Sequence, residues 1–168
     1  GQYTKYFGDP ARFMAEVGHQ AGAASGLINY GELDEANRRH VSEAIRFAGQ
    51  VGAERIIFCL FGRRTELVAS GYRRYAGLLT EIGKEARDHG VRFSLHNHNS
   101  SPLMVPEDFR ALFERAGTDL LELTLDTAHL GLAGVTDIAG VIREFRPVIG
   151  NFHLKDLHAG EFRMLGEG

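Results

Sequence analysis

The sequence predicts an α/β protein built on a parallel sheet of about five strands with outer helices, a partial (β/α)8 TIM-type barrel. Three observations predict it. Apolar runs of strand length alternate with segments of helical periodicity at intervals of about 30 residues, the size of a β-α-β unit. That alternation gives parallel strands joined by right-handed crossovers. Three consecutive strands also carry one apolar and one polar face, whereas a parallel sheet covered by helices on both sides is apolar throughout. A polar face belongs where strands line a barrel lumen. The alternation alone also fits an open doubly wound sheet. A full barrel needs about 250 residues, and this chain has 168.

The elements follow in order. A helix near 9–18 precedes a weaker strand over 23–29. Val41, Ala44, Ile45, Ala48 and Val51 recur at helical spacing, which predicts an amphipathic helix over 34–51. RIIFCLFG at 55–62 is a buried strand stopped by Gly62. Tyr72, Tyr75, Ala76, Leu79, Ile82 and Ala86 mark the next helix, with Thr65 as its N-cap and Gly90 as its stop. A strand covers 91–97. Pro106 opens a helix that turns Phe109, Leu112, Phe113 and Ala116 inward and ends at Gly117. A strand over 119–126 follows, then a short helix over 137–145 that buries Ile138, Val141, Ile142 and Phe145 before Pro147. The last strand covers 148–154. No linker or shift in composition divides the chain, so residues 1–168 form a single domain.

Composition narrows the function classes. With a net charge of −3, nothing suggests an electrostatic search for nucleic acid or anionic lipid. No apolar run reaches the length of about 18 residues that a membrane span requires. The first ten residues, GQYTKYFGDP, lack a secretory pattern. Cys59 is the single cysteine, so no internal disulfide exists; it sits mid-strand without a basic neighbour and reads as a buried core thiol. A cytoplasmic protein is expected.

The chemistry concentrates at strand ends. LELTLDTAHLG at 121–131 ends an apolar strand on Asp126, with His129 three residues on. By itself this is a turn with a capping Asp and a backbone-satisfied His. The neighbouring strands change that reading. Side chains alternate along a strand, so Ser94, His96 and His98 share a face opposite Phe93 and Leu95. Glu122, Thr124 and Asp126 oppose three leucines, and Asn151, His153 and Lys155 oppose Phe152 and Leu154. His96, His98, His129, His153 and His158 all fall at strand ends or in the loops after them, where active sites form in such folds. Neutral imidazoles with a carboxylate suit zinc, manganese, cobalt or iron. His89 has a simpler account at a helix C-terminus, and His19 and His40 read as solvated. Arg63 and Arg64 follow a strand end and could meet a substrate phosphate, although solvated loop arginines are commoner.

The order LHNH, LDTAHLGLAG, FHLKD and LGEG resembles the xylose isomerase-like TIM barrels, the sugar phosphate isomerase/epimerase superfamily, over about residues 9–168. The resemblance implies that these strands are the third to seventh of eight. It also implies a divalent metal ion (manganese, zinc, cobalt or magnesium) held by Asp126 and His153, with His96 standing where the family usually has Glu. His129 matches a substrate-contacting His. His98 falls where some dehydratases of the superfamily place a proton-abstracting His, and Lys155 matches a residue near the substrate oxygens. The implied catalytic set is therefore His98, His129 and Lys155, with His129, Lys155, Arg63 and Arg64 toward the substrate.

The implied activity is a metal-dependent sugar or sugar phosphate isomerase or epimerase that removes a proton beside a carbonyl and passes through an enediolate. The small-molecule partner is a sugar or polyol-derived ketone. A His at the Glu position also resembles inosose dehydratases, which keeps a lyase open. A non-catalytic sugar-binding domain is a further alternative. An abasic-site endonuclease is disfavoured, because RIIFCLFG carries no terminal His and GEFRM lacks a paired Asp and His. Five strands cannot close an eight-strand barrel. The chain is thus expected to be part of a longer protein, with a solvent-exposed polar face and two edge strands able to pair in a homo-oligomer.

Overall fold

The computed structural model describes residues 3–18, 26–32, 34–62 and 71–168. Arg63, Arg64, the Thr65 cap and His19 lie outside the described residues. Helix α1 (Pro10–Phe13) starts on Asp9, whose carboxylate accepts the Arg12 N–H, and continues into a π-turn over Met14–Gly18. Strand β1 (Gly26–Gly31) leads to α2 (Glu35–Gln50), capped by Asp34 through the Asn37 N–H. Then come β2 (Arg55–Leu60), α3 (Tyr72–Asp88), β3 (Arg92–His96) and α4 (Pro106–Phe113). They are followed by β4 (Glu122–Asp126), α5 (Thr127–Leu132), α6 (Ile138–Phe145) and β5 (Ile149–His153). A short antiparallel hairpin, β6 (Asp156–His158) and β7 (Glu161–Arg163), closes the described chain.

The sheet runs β1-β2-β3-β4-β5, with every neighbouring pair parallel. A doubly wound sheet reverses its strand order at a switch point, and this one does not. The order is that of a partial (β/α)8 barrel. Three local expectations need correction. Helix α4 stops at Phe113 rather than Gly117, and Ala116 packs against the core from the turn that follows. His129 lies on α5 rather than in a loop. The hairpin was not foreseen.

The outer layer is the apolar core. Ile56, Phe58 and Leu60 of β2, Phe93 and Leu95 of β3, and Leu123 and Leu125 of β4 pack with Ala44, Ile45, Leu79, Ile82, Phe109 and Leu112 of the helices. Burial of such side chains stabilises the fold by roughly 1.5–3 kcal/mol each. At the N-terminal end, Tyr3, Phe7 and Phe13 surround Phe47, with ring centres 5.2–6.0 Å from it. His40, expected to be solvated, rests its ring against Phe7.

The polar inner face is buried on β3 and β4 rather than exposed as expected, while Asn151, His153 and Lys155 at the β5 end stay partly accessible. Ser94, Thr124 and Asp126 have no accessible surface. The reason is curvature. Arg55 on β2 reaches Glu122 on β4 and the Gly150 carbonyl on β5, both at 2.8 Å. Strands β2 and β5 stand three apart, about 14 Å in a flat sheet, so the sheet must curl to let one side chain bridge them. Curling presses the inner side chains onto one another, and Ser94 and Thr124 meet hydroxyl to hydroxyl at 2.6 Å.

Helix α3 sits close to the sheet at Gly83, where an added Cβ would come within 2.3 Å of the Leu120 carbonyl oxygen. A backbone atom cannot step aside as a flexible side chain can. Gly83→Ala should therefore lower the unfolding free energy by about 2 kcal/mol. Gly77→Ala, with nothing within 4 Å, should raise it by up to about 1 kcal/mol. Urea denaturation of both variants checks this, and equal effects would refute the close approach.

Candidate active site

Asp126 ends β4 and begins α5. Its Oδ1 accepts the backbone N–H of His129 at 3.0 Å, the capping bond of the short helix. The capping and site readings of this residue thus hold together. Its Oδ2 is the point on which the polar strand ends converge. Lys155 Nζ lies 2.5 Å away, His96 Nε2 3.3 Å, His153 Nδ1 3.8 Å and His129 Nε2 3.9 Å. His96, Asp126 and His129 offer ligand atoms all within 4.8 Å of one another.

The imidazoles form two pairs. His96 and His153 have ring centres 4.6 Å apart beside the carboxylate. His98 and His129 have ring centres 3.8 Å apart, with the His96 ring 6.0 Å from the first and 5.6 Å from the second. His98 is half-buried in the loop after β3, and its Nδ1 faces the Ser100 hydroxyl at 2.8 Å. His158, by contrast, is exposed on the hairpin and does not join the cluster.

Electrostatics fix the protonation states. Burial works against a charge on Asp126, but hydrogen bonds from His96, Lys155 and the His129 N–H outweigh it and hold the carboxyl well below the usual carboxylate range. Burial also lowers the imidazoles: His129 falls to about 4, and His98 and His153 move in the same direction. A carboxylate held anionic beside His129 and His153, whose charged forms burial disfavours, is the kind of donor set that a divalent cation requires. The residues present therefore fit a metal ion.

Four contributors were not singled out from sequence. Asn97, fully buried, donates to the Asp126 carbonyl at 3.1 Å and accepts the Asp126 N–H at 2.7 Å, extending the ladder past the end of β3. Thr127 holds the Lys155 backbone from both sides. Phe162 of the hairpin sets its ring edge-on to His129 and beneath Lys155. Asp156 accepts the N–H groups of Gly166 and Gly168, folding the LGEG turn back onto the strand end. The HNH alternation points Asn97 away from the lumen, and nothing local marks its side chain as a clamp. Cys59, buried as expected, lies on the inner face; burial and the Asp126 charge push its thiol up to about 11, while Lys155 acts in the opposite sense.

Comparison with known proteins places this geometry. The family model for the xylose isomerase-like TIM barrel matches residues 13–168. Inosose dehydratase 1 of Bacillus cereus (strain ZK / E33L) is 24% identical over 98 residues, covering 58% of this chain and 33% of that protein. The match thus spans about a third of the curated relative's length. A solved L-ribulose 3-epimerase superposes with a TM-score of 0.75 at 21% identity, over 95% of this chain and 58% of that one. A solved IOLI protein holding a zinc atom superposes with a TM-score of 0.62 at 16% identity, over 77% of this chain and 51% of that one. These solved structures share the fold.

The lowered imidazoles carry a stability signature in metal-free protein. Between pH 6.5 and about 4 the unfolded chain binds a proton at His129 that the native state does not. Stability is therefore full above the unfolded value and falls as pH drops through this window, by at most about 3 kcal/mol from His129. Chemical denaturation with a chelator at pH 7.5 and 5.0 should show the loss, and His129→Gln should reduce it. A pH-independent unfolding free energy across that range would contradict the buried neutral ring.

Proposed function

The chain belongs to the xylose isomerase-like TIM barrel family, and from that premise we propose that it carries the centre of a divalent-metal-dependent enzyme that removes the proton beside the carbonyl of a small polyhydroxy ketone. The observation that carries this reading is the convergence of His96, His129 and His153 on one fully buried carboxylate, with His98 stacked on His129 beside them. In this reading His96, Asp126 and His153 hold the metal. The His98–His129 pair handles the proton, because its rings lie against each other rather than against His153. When bound, the cation polarises the substrate carbonyl as a Lewis acid.

The protein's own groups do the rest. His98 and His129, kept neutral by burial, have a free lone pair to accept the carbon-bound proton. Lys155 supplies a positive charge where the enediolate oxygen develops. Asp126 keeps His129 in place through the backbone N–H of α5. Arg63 and Arg64, which follow β2 in the sequence, remain proposed substrate contacts.

Two outcomes branch from the enediolate. Returning the proton to a carbon gives the isomer or epimer. Passing it to the β-hydroxyl, which leaves as water, gives an enone. Two observations favour the second outcome. His96 stands where a carboxylate base is expected in the epimerases of the family, and the curated relative named above is an inosose dehydratase. Incubating the intact protein with inosose and with ketoses in the presence of zinc or manganese separates them. Ultraviolet absorbance rising with inosose is the expected result. Turnover of a ketose without that absorbance would establish the isomerase branch instead.

The division of labour between the pairs is separately testable. His153→Ala should abolish stoichiometric metal, measured by elemental analysis after dialysis. His129→Ala should retain metal and lower kcat by about 100-fold or more. Loss of metal in His129→Ala would move that residue into the ligand set.

A further inference from the structure

We propose that Lys155 is a built-in counter-ion: its ammonium occupies the Asp126 carboxylate until a divalent cation displaces it, and the freed charge then moves to the mouth of the site. The inference rests on the metal reading above and adds what this chain's own lysine does about it.

The geometry sets up a competition. Lys155 Nζ is the nearest group to Asp126 Oδ2, at 2.5 Å. The same oxygen faces His96 and His153, the proposed ligands. A cation shared by those three side chains must approach Oδ2, and an ammonium already on that oxygen repels it and competes for the same lone pairs. Without a metal, the lysine has the opposite value. Asp126 has no accessible surface, and an uncompensated carboxylate there would be costly.

The lysine is also built to move by its side chain alone. Thr127 Oγ1 donates to the Lys155 carbonyl at 3.0 Å and accepts the Lys155 N–H at 3.2 Å, so the backbone is pinned. The side chain is 38% exposed, which leaves an outward path. From its place on the carboxylate the ammonium already lies 3.4 Å from His129 Nε2 and 5.3 Å from the centre of the half-exposed Phe162 ring. A single hairpin ring therefore stands ready to receive the ammonium as it leaves the carboxylate. Metal loading and the placing of a cationic group at the substrate's oxygens become one event.

Two measurements on the intact protein test this, with zinc alone as the probe. The first is calorimetric zinc affinity of wild type and Lys155→Met. Removal of the competing ammonium should tighten zinc binding about tenfold or more, the scale of one charged hydrogen bond. The second is reductive methylation read by mass spectrometry, in wild type only, so it holds even where the variant folds poorly. Lys155 should label several-fold faster when zinc is added, while Lys5 and Lys84, the other two lysines, serve as internal standards and stay unchanged. Zinc binding with unchanged labelling of Lys155, or equal affinity in a folded Lys155→Met, would overturn the proposal. Absence of zinc binding in both proteins would instead remove the metal reading on which it stands.

Discussion

The structure depends on one buried carboxylate. Asp126 terminates a strand, caps the next helix and gathers a lysine and three imidazoles, all through two oxygens. Each of those tasks constrains the others. The capping bond to the His129 N–H fixes Oδ1, which aims Oδ2 into the lumen. Asn97 then locks the Asp126 peptide from the neighbouring strand with two bonds of ladder type. A carboxylate so positioned cannot rotate away from its partners without breaking a helix start and a strand pairing. That is how a side chain with no accessible surface remains ionised.

The rest of the lumen is organised to make such burial tolerable. Its polar groups lie in layers that are satisfied across strands. At the N-terminal strand ends Arg55 bonds Glu54, Glu122 and the Gly150 carbonyl. Ser94 and Thr124 pair above them, and the Asp126 cluster lies above those. A buried ion pair is weak evidence for stability, since desolvation offsets most of its Coulombic gain. The stabilising term is the outer layer, where leucine, isoleucine and phenylalanine from strands and helices interlock. One face of the sheet holds the fold together, and the other is freed for chemistry.

This division explains what could be read from sequence. Leu121, Leu123 and Leu125 alternate with Glu122, Thr124 and Asp126, and a period of two reports directly which residues share a face. Strand positions and the converging side chains were legible for that reason. A curved sheet was expected from the barrel resemblance, but its degree was not legible, because curvature arises from the sum of strand twists and leaves no mark on any one strand. The expected solvent-exposed polar face followed from the missing barrel strands, not from how closely the five present strands pack their inner side chains. Short elements were also invisible. Stretches of six residues, such as TAHLGL of α5, have too few turns for a helical period to stand out. The hairpin offers only three residues per strand, EFR facing DLH, too few for alternation to register. Asn97 and Thr127 were missed because their work is done through backbone groups of distant residues, a relation that exists only once the strands are adjacent.

One feature of the cluster runs against the economy of the remainder. Among the described residues, buried side-chain polar atoms without a partner are Asn29 Nδ2, His96 Nδ1 and His129 Nδ1. Two of the three belong to the site. Buried polar atoms are nearly always paired, and leaving one unpaired costs on the order of 1–3 kcal/mol. Among the other described polar residues of the lumen the chain supplies the partner, even across three strands, as Arg55 does. The rings of His96 and His129 are instead fixed from one side only, with Nε2 toward the carboxylate and Nδ1 facing no partner. At His96 that single contact fixes the tautomer, since only an Nε2–H can bond the carboxylate, and Nδ1 is then left as a buried lone pair. The stability forgone at these two nitrogens is thus the local departure from consistency that marks a functional cluster in an otherwise well-satisfied fold.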